Sequence, residues 1–299
     1  MTQQTSSGDT VAECAFFGSG YTWGTVRNAD IKLSSEVATD VPIQVITDPT
    51  FSGSSPDDCQ VSSEISTASD LGANGILGIG VARYDCSSSG ACGGDYYACN
   101  GSACTSISQS TTSQVQNPVA SFTTDNNGVI VEIAQVSDSG AASATGTLVF
   151  GIDTESNNAL AGKSATTLAT DGFGDISATY DGTTYSDSAY FDSGSNGIFF
   201  PNSTGLATYS DWYAPSTTQG LSATLTDTNS KTTTIDFNIG DAETFFDTGY
   251  YASNSLGGTA SGQMDFGLPY FYGRYVYYGI VNKSSTGGGT GPYVSYVSS

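Results

Sequence analysis

Short apolar runs recur along the whole chain, each bounded by Gly, Asp, Asn or Pro and rich in β-branched or aromatic residues. That pattern predicts strands at residues 31–33, 42–46, 75–81, 128–133, 147–152, 175–180, 235–239 and 270–281. Helical periodicity is scarce, and the best short candidates are residues 201–210 and 242–246. No tandem repeat is evident. The Gly-rich stretch 284–291 predicts a flexible segment, after which residues 291–297 resume a strand pattern. A division near residues 161–164 separates a first lobe, 1–162, from a second, 163–299. The expectation is an all-β protein.

Composition sharpens this picture. A chain of 299 residues can fill one large domain or two lobes. Seven Lys plus Arg against 29 Asp plus Glu give a net charge of −22, which repels phosphate backbones, so nucleic acid is excluded as a partner. No apolar run approaches the length of a membrane span. The chain has no histidine, which removes Ser-His-Asp and Cys-His nucleophile systems and every His-based metal site. Catalysis, if present, runs on carboxylates, hydroxyls or thiols, and neither a metal nor a cofactor is expected.

The six cysteines are an even number, four of them crowded into residues 86–104. They predict disulfides formed in an oxidising compartment. The expected pairs are Cys86 with Cys92, Cys99 with Cys104, and Cys14 with Cys59. A four-thiolate zinc site is the rival reading, although the gaps are wider than its usual close pairs. An extracellular or periplasmic location follows, yet the opening residues carry neither a basic nor an apolar export segment.

The tripeptide Asp-Ser/Thr-Gly occurs three times, at Asp138, Asp192 and Asp247. Asp138 stands in a polar loop and reads as a turn residue, and Asp247 runs into Tyr250 and Tyr251 without a second hydroxyl. Only Asp192-Ser193-Gly194-Ser195 continues with a hydroxyl residue and is flanked by apolar runs on both sides. Apolar flanks hold a carboxylate away from bulk water, and nearby amide and hydroxyl donors orient it, which are the conditions a reacting carboxylate needs. The bland counterpart is an Asp that satisfies strand-end amides, with Arg274 neutralising an acid in the core.

This turn resembles the second active-site turn of pepsin-like aspartic peptidases. Other stretches follow in that family's order: Asn74-Gly75-Ile76-Leu77-Gly78, then Thr147-Leu148-Val149-Phe150-Gly151, then Phe266-Gly267-Leu268-Pro269-Tyr270. The chain is also similar over nearly its whole length to an uncharacterised bacterial family of exported proteins that share the NGILG and DSGSNG stretches. The resemblance implies a two-lobed acid-protease architecture and a monomer that takes a polypeptide substrate or ligand in its inter-lobe cleft. It gives Asp192 the catalytic role, Ser195 and the Gly194 amide the task of orienting it, and Ser193 a bracing contact. It makes the segment from Phe17 through Tyr21 to Trp23 a flap-like hairpin over substrate.

That family activates water with two carboxylates sharing a proton. The first Asp-Thr/Ser-Gly turn should precede the hairpin, and the residues ahead of Phe17 contain none. The first lobe is therefore expected to be incomplete at its N-terminus and the chain inactive as given. Three readings stay open: a fragment of a longer chain, a dimer that brings two copies of Asp192 together, or a degenerate fold that binds without cutting. Outside the peptidase class, the alternatives are an exported β-rich binding or surface module and, more remotely, a glycosidase, for which no second carboxylate can be paired with Asp192.

Overall fold

A two-residue turn at Gly18 and Ser19 folds strand β1 (Thr10–Phe17) onto the long β2 (Gly20–Leu33), which pairs along its length with β3 (Glu36–Ile46). The computed structural model describes residues 1–86 and 95–298, and β4 (Tyr96–Asn100) and β5 (Ala103–Ser106) complete a sheet in the order β3-β2-β1-β4-β5. Alternation along β1 sends Ala12 and Cys14 to one face, where they pack with Tyr21, Trp23, Cys59 and Tyr97, while Val11 joins Val26 and Tyr96 on the other. Trp23 meets the edge of Tyr97 at 5.4 Å between ring centroids. These elements belong to a compact unit spanning Met1–Thr124, and a second unit spans Asp125–Ser299.

Two of the expected disulfides are present, Cys14–Cys59 and Cys99–Cys104. This settles those four cysteines against the thiolate zinc reading. Cys92, in the third expected pair, lies outside the described residues. The first unit also buries charge. Glu13 on β1 is 3% exposed beside Asp85 and Tyr96; the Tyr96 hydroxyl accepts from Val115 N at 2.8 Å and has two carboxylate acceptors for its one proton, Asp85 Oδ2, the nearer, and Glu13 Oε1 at 3.3 Å. Burial, reinforced by the neighbouring Asp85 charge, holds the Glu13 carboxyl well above the usual carboxylate range.

In the second unit the strands are β6 (Gly128–Ile133), β7 (Gly146–Phe150), β8 (Thr166–Ala169), β9 (Ile176–Tyr180), β10 (Thr183–Phe191), β11 (Ile198–Phe200), β12 (Thr208–Tyr209), β13 (Trp212–Tyr213), β14 (Gln219–Thr226), β15 (Thr232–Ile239), β16 (Gly257–Thr259), β17 (Met264–Phe266), β18 (Arg274–Gly279), β19 (Ser284–Ser285), β20 (Gly289–Thr290) and β21 (Tyr293–Ser298). Nine of them form one sheet in the order β12-β13-β16-β11-β17-β10-β9-β14-β15, and five form another in the order β7-β6-β18-β21-β8. Strand β6 is hydrogen-bonded to β18 and β7 to β6, so residues 128–150 pack within the second unit, which spans Asp125–Ser299.

Several local expectations differ from what the chain does. Residues 75–81 form no strand. They follow a one-turn helix α1 (Ala68–Leu71) closed by Gly72 in the left-handed region, and Gly75, Gly78 and Gly80 supply no side chains to pack, so Ile76 stands 53% exposed. Residues 201–210 form no helix, since Pro201 and the left-handed Gly205 break it up before β12 begins. A helix does form near 242–246, as α2 (Ala242–Asp247), capped by the Asp241 carboxylate. The strand expected over 270–281 starts only at Arg274. Pro269 opens the short α3 (Leu268–Phe271) instead, and Gly273 turns the chain at φ 74°. The Gly-rich stretch 284–291 is ordered as the β19–β20 hairpin. There Gly287 donates to Asp153 Oδ2 at 2.7 Å, an approach open only to glycine because a Cβ would fall 2.4 Å from Ala161 N.

Candidate functional site

The site is set by the way three strands of the nine-stranded sheet meet. Strand β17 lies between β10, to which it is parallel, and β11, to which it is antiparallel. The turn over residues 192–197 must therefore cross the C-terminal end of β17. It is pinned there by Asp192 N donating to Phe266 O at 3.2 Å and by Leu268 N donating to Ser195 O at 2.7 Å. Gly267 is needed beneath it, since a Cβ would sit 2.0 Å from Gly197 O. Apolar flanks hold the frame: Phe191 stacks on Phe266 at 5.3 Å, and Phe199 packs against Trp212 at 5.4 Å.

Within this frame Asp192 is half-buried and both carboxylate oxygens are held. Gly194 N donates to Oδ1 at 2.8 Å and Ser195 Oγ donates to Oδ2 at 3.0 Å. Asp192, Gly194 and Ser195 thus meet within one turn. Ser193 contributes through its backbone amide, which hydrogen-bonds the buried Tyr278 hydroxyl. The same hydroxyl donates to Phe191 O at 3.0 Å, so Tyr278 clasps the chain on both sides of Asp192.

Sequence reasoning missed the second carboxyl. Asp265, on β17 opposite Tyr190 and Phe199, is 4% exposed and lies within hydrogen-bonding reach of Ser195. Its Oδ1 has no partner among the described residues. Burial pushes its pKa up to about 7, the Asp192 charge adds to the rise, and the Ser195 hydrogen bond opposes it. Ser195 has one hydroxyl proton and gives it to Asp192, so a protonated Asp265 can donate to the Ser195 oxygen. With Asp265 protonated, the three groups would form a carboxyl–hydroxyl–carboxylate chain. Nothing in the local pattern around Asp265 marks it; the signal is the parallel pairing of β17 with β10.

The remaining candidates have partners of their own. Tyr21 and Trp23 are buried in the first-unit core, with Tyr21 Oη 3.3 Å from Ser55 Oγ and Trp23 Nε1 donating to Gly53 O at 2.9 Å. Phe17 alone of the three is exposed, at the tip of the β1–β2 hairpin. Asp138 accepts from Asn254 Nδ2 at 2.9 Å, and Asp247 ends α2, so neither repeats the Asp192 geometry. Among the described residues Arg274 forms no ion pair with an acid; it donates to Tyr270 O at 2.7 Å and lies 4.0 Å over that ring. No group of three His, Cys, Asp or Glu among the described residues is arranged to hold a metal ion, and no helix among them is long and apolar enough to cross a membrane.

Comparison with known proteins agrees with the fold and leaves the activity open. The model of a family described as "Protein of unknown function (DUF3443)" matches residues 1–296. No curated protein matches. Among solved structures, an aspartic proteinase from Irpex lacteus is similar with a TM-score of 0.51 at 18% identity, covering 100% of this chain and 83% of that one. The protein is all-β with a pepsin-like fold.

Proposed function

We propose, for a chain that belongs to the DUF3443 family, that the Asp192 turn is the carboxylate half of an aspartic-endopeptidase-type site acting on polypeptides. The observation that carries this reading is the paired hold on Asp192, by the Gly194 amide on one oxygen and the Ser195 hydroxyl on the other. Two fixed donors orient an ionised carboxylate so that it can take a proton from water attacking a peptide carbonyl. Asp265 would act from behind, keeping a proton on the far side of Ser195 so that the Ser195 hydroxyl stays directed at Asp192. Too buried to reach water itself, Asp265 does not replace the second water-binding carboxylate. The chain by itself is therefore proposed to hold polypeptide without turning it over, and to be an active peptidase only where a second carboxylate faces Asp192. Two disulfides support an extracellular or periplasmic location.

The second reading, a β-rich binding or surface module on the same fold, draws on the exposed aromatics Tyr209, Phe246, Tyr250 and Tyr251 of the second unit. The two are separated by assaying the complete gene product against an unfolded protein at mildly acid pH, alongside Asp192→Asn. Asn keeps the size and the hydrogen-bond acceptor but cannot take the proton, so cleavage should be lost with the fold intact. Cleavage at the parent rate in that variant rejects the peptidase role.

A further inference from the structure

The second unit contains a half-open cavity of about 370 Å³, walled by residues 138–139, 215–218, the start of α2 and residues 253–256. Two carboxylates line it, Asp138 and Asp241, and no Lys or Arg does. Both are held in fixed directions. Asp241 Oδ1 accepts from Glu243 N at 3.0 Å and its Oδ2 from Thr244 Oγ1 at 2.7 Å, while Asp138 Oδ1 accepts from Asn254 Nδ2 at 2.9 Å. Each keeps lone pairs for a ligand.

A separate feature of the wall also points to a ligand. Ser253 and Ser255 are 7% and 9% exposed. Ser255 N donates to Ser253 Oγ at 3.2 Å, and the two hydroxyls face each other at 3.5 Å. That contact uses one of two hydroxyl protons, so one buried O–H remains to meet a ligand acceptor.

The cavity also stands near the Asp192 turn. Leu256 O accepts from Ile198 N at 3.0 Å, and Gly257 faces Ile198 in the parallel β11–β16 pair. Parallel strands begin at the same edge of a sheet, so residues 253–256 and the turn that leads into β11 share that edge.

We propose that this cavity receives the cationic side chain of a lysine or arginine in a polypeptide held at the Asp192 turn. Asp138 and Asp241 meet the charge, Phe245 packs along the methylene stem, and the spare serine hydroxyl donates to a main-chain carbonyl. A net charge of −22 favours the approach of such a ligand. The proposal rests on the polypeptide reading of the site.

The test is calorimetric titration of the full chain with an end-blocked peptide containing one arginine, and with the same peptide carrying citrulline, its neutral near-isostere. The arginine peptide should bind at least about ten-fold tighter, with the preference falling as salt rises. Asp241→Asn preserves a helix cap and Asp138→Asn preserves an acceptor for Asn254, so both variants should fold. Each should weaken the preference several-fold, and the double variant should abolish it. Equal affinities for the two peptides, or a preference that survives the double variant, overturn the cavity assignment and leave the Asp192 reading standing. Failure of both peptides to bind while a neutral oligosaccharide does overturns both.

Discussion

Asp265→Asn tests the physics of the site without requiring activity. The ordinary carboxyl value of 3.8 rises to about 7 at this position. At about 1.4 kcal/mol per pH unit, the shift corresponds to ~4 kcal/mol between the folded and unfolded chains. Because the folded pKa is raised, that stability is fully present below the unfolded value and drains away as pH rises through the folded one. The window therefore runs from about pH 4 to about pH 7. Asparagine cannot titrate, yet its amide can still donate to Ser195. Urea unfolding of parent and variant at roughly pH 4.5 and 7.5, followed by circular dichroism, measures the loss in each protein. The parent should lose ~3–4 kcal/mol more across that interval than the variant. Glu13 drives a decline of the same sign in both proteins, so the difference between them is the informative quantity. Matching declines would show that Asp265 is ionised throughout, and the directed chain through Ser195 would be refuted.

In the first unit, Glu13→Gln should be neutral or slightly destabilising at acid pH and stabilising above neutrality, since burial raises the Glu13 pKa and its ionisation charges a buried site. A melting-temperature series in pH that runs parallel to the parent's would contradict this. The disulfides should differ in worth: Cys14–Cys59 closes a loop of sequence separation 45 and Cys99–Cys104 one of 5. Chain entropy then gives ~4 and ~2 kcal/mol, so replacing the first pair by alanines should lower stability about twice as much as replacing the second. Equal losses in urea midpoints would count against the entropic account.

What the sequence discloses here is what is local. The Asp192 turn was legible because its carboxylate, both orienting donors and its apolar flanks fall within a dozen consecutive residues. The two described disulfides follow a short-range pairing that spacing alone does not fix, since six cysteines can pair in about fifteen ways, and the strands at 42–46, 128–133 and 235–239 were legible because each carries its own β-branched or aromatic run. Asp265 was not legible, since what makes it special is a parallel register with a strand far away in the chain. Glu13 escaped notice for the same reason: between Ala12 and Cys14 it reads as the polar residue of an alternating strand, and only Tyr96 and Asp85 turn that position into an interior one. Residues 75–81 failed in the opposite direction. Their apolar composition suits a strand, but a strand exists only where a partner edge is free, and none receives this glycine-rich segment.

The β10–β17 pairing also fixes when the site can be built. Strands β14 and β15 are joined by a short turn and can zip as soon as both leave the ribosome, whereas the Asp192 turn has nothing to rest on until β17 and Leu268 have been made. During synthesis the acidic turn is therefore among the last parts of the second unit to acquire its shape. A growing or truncated chain that stops short of β17 holds finished hairpins and an unformed centre, so the fold withholds any chemistry at Asp192 until β17 and Leu268 have been made.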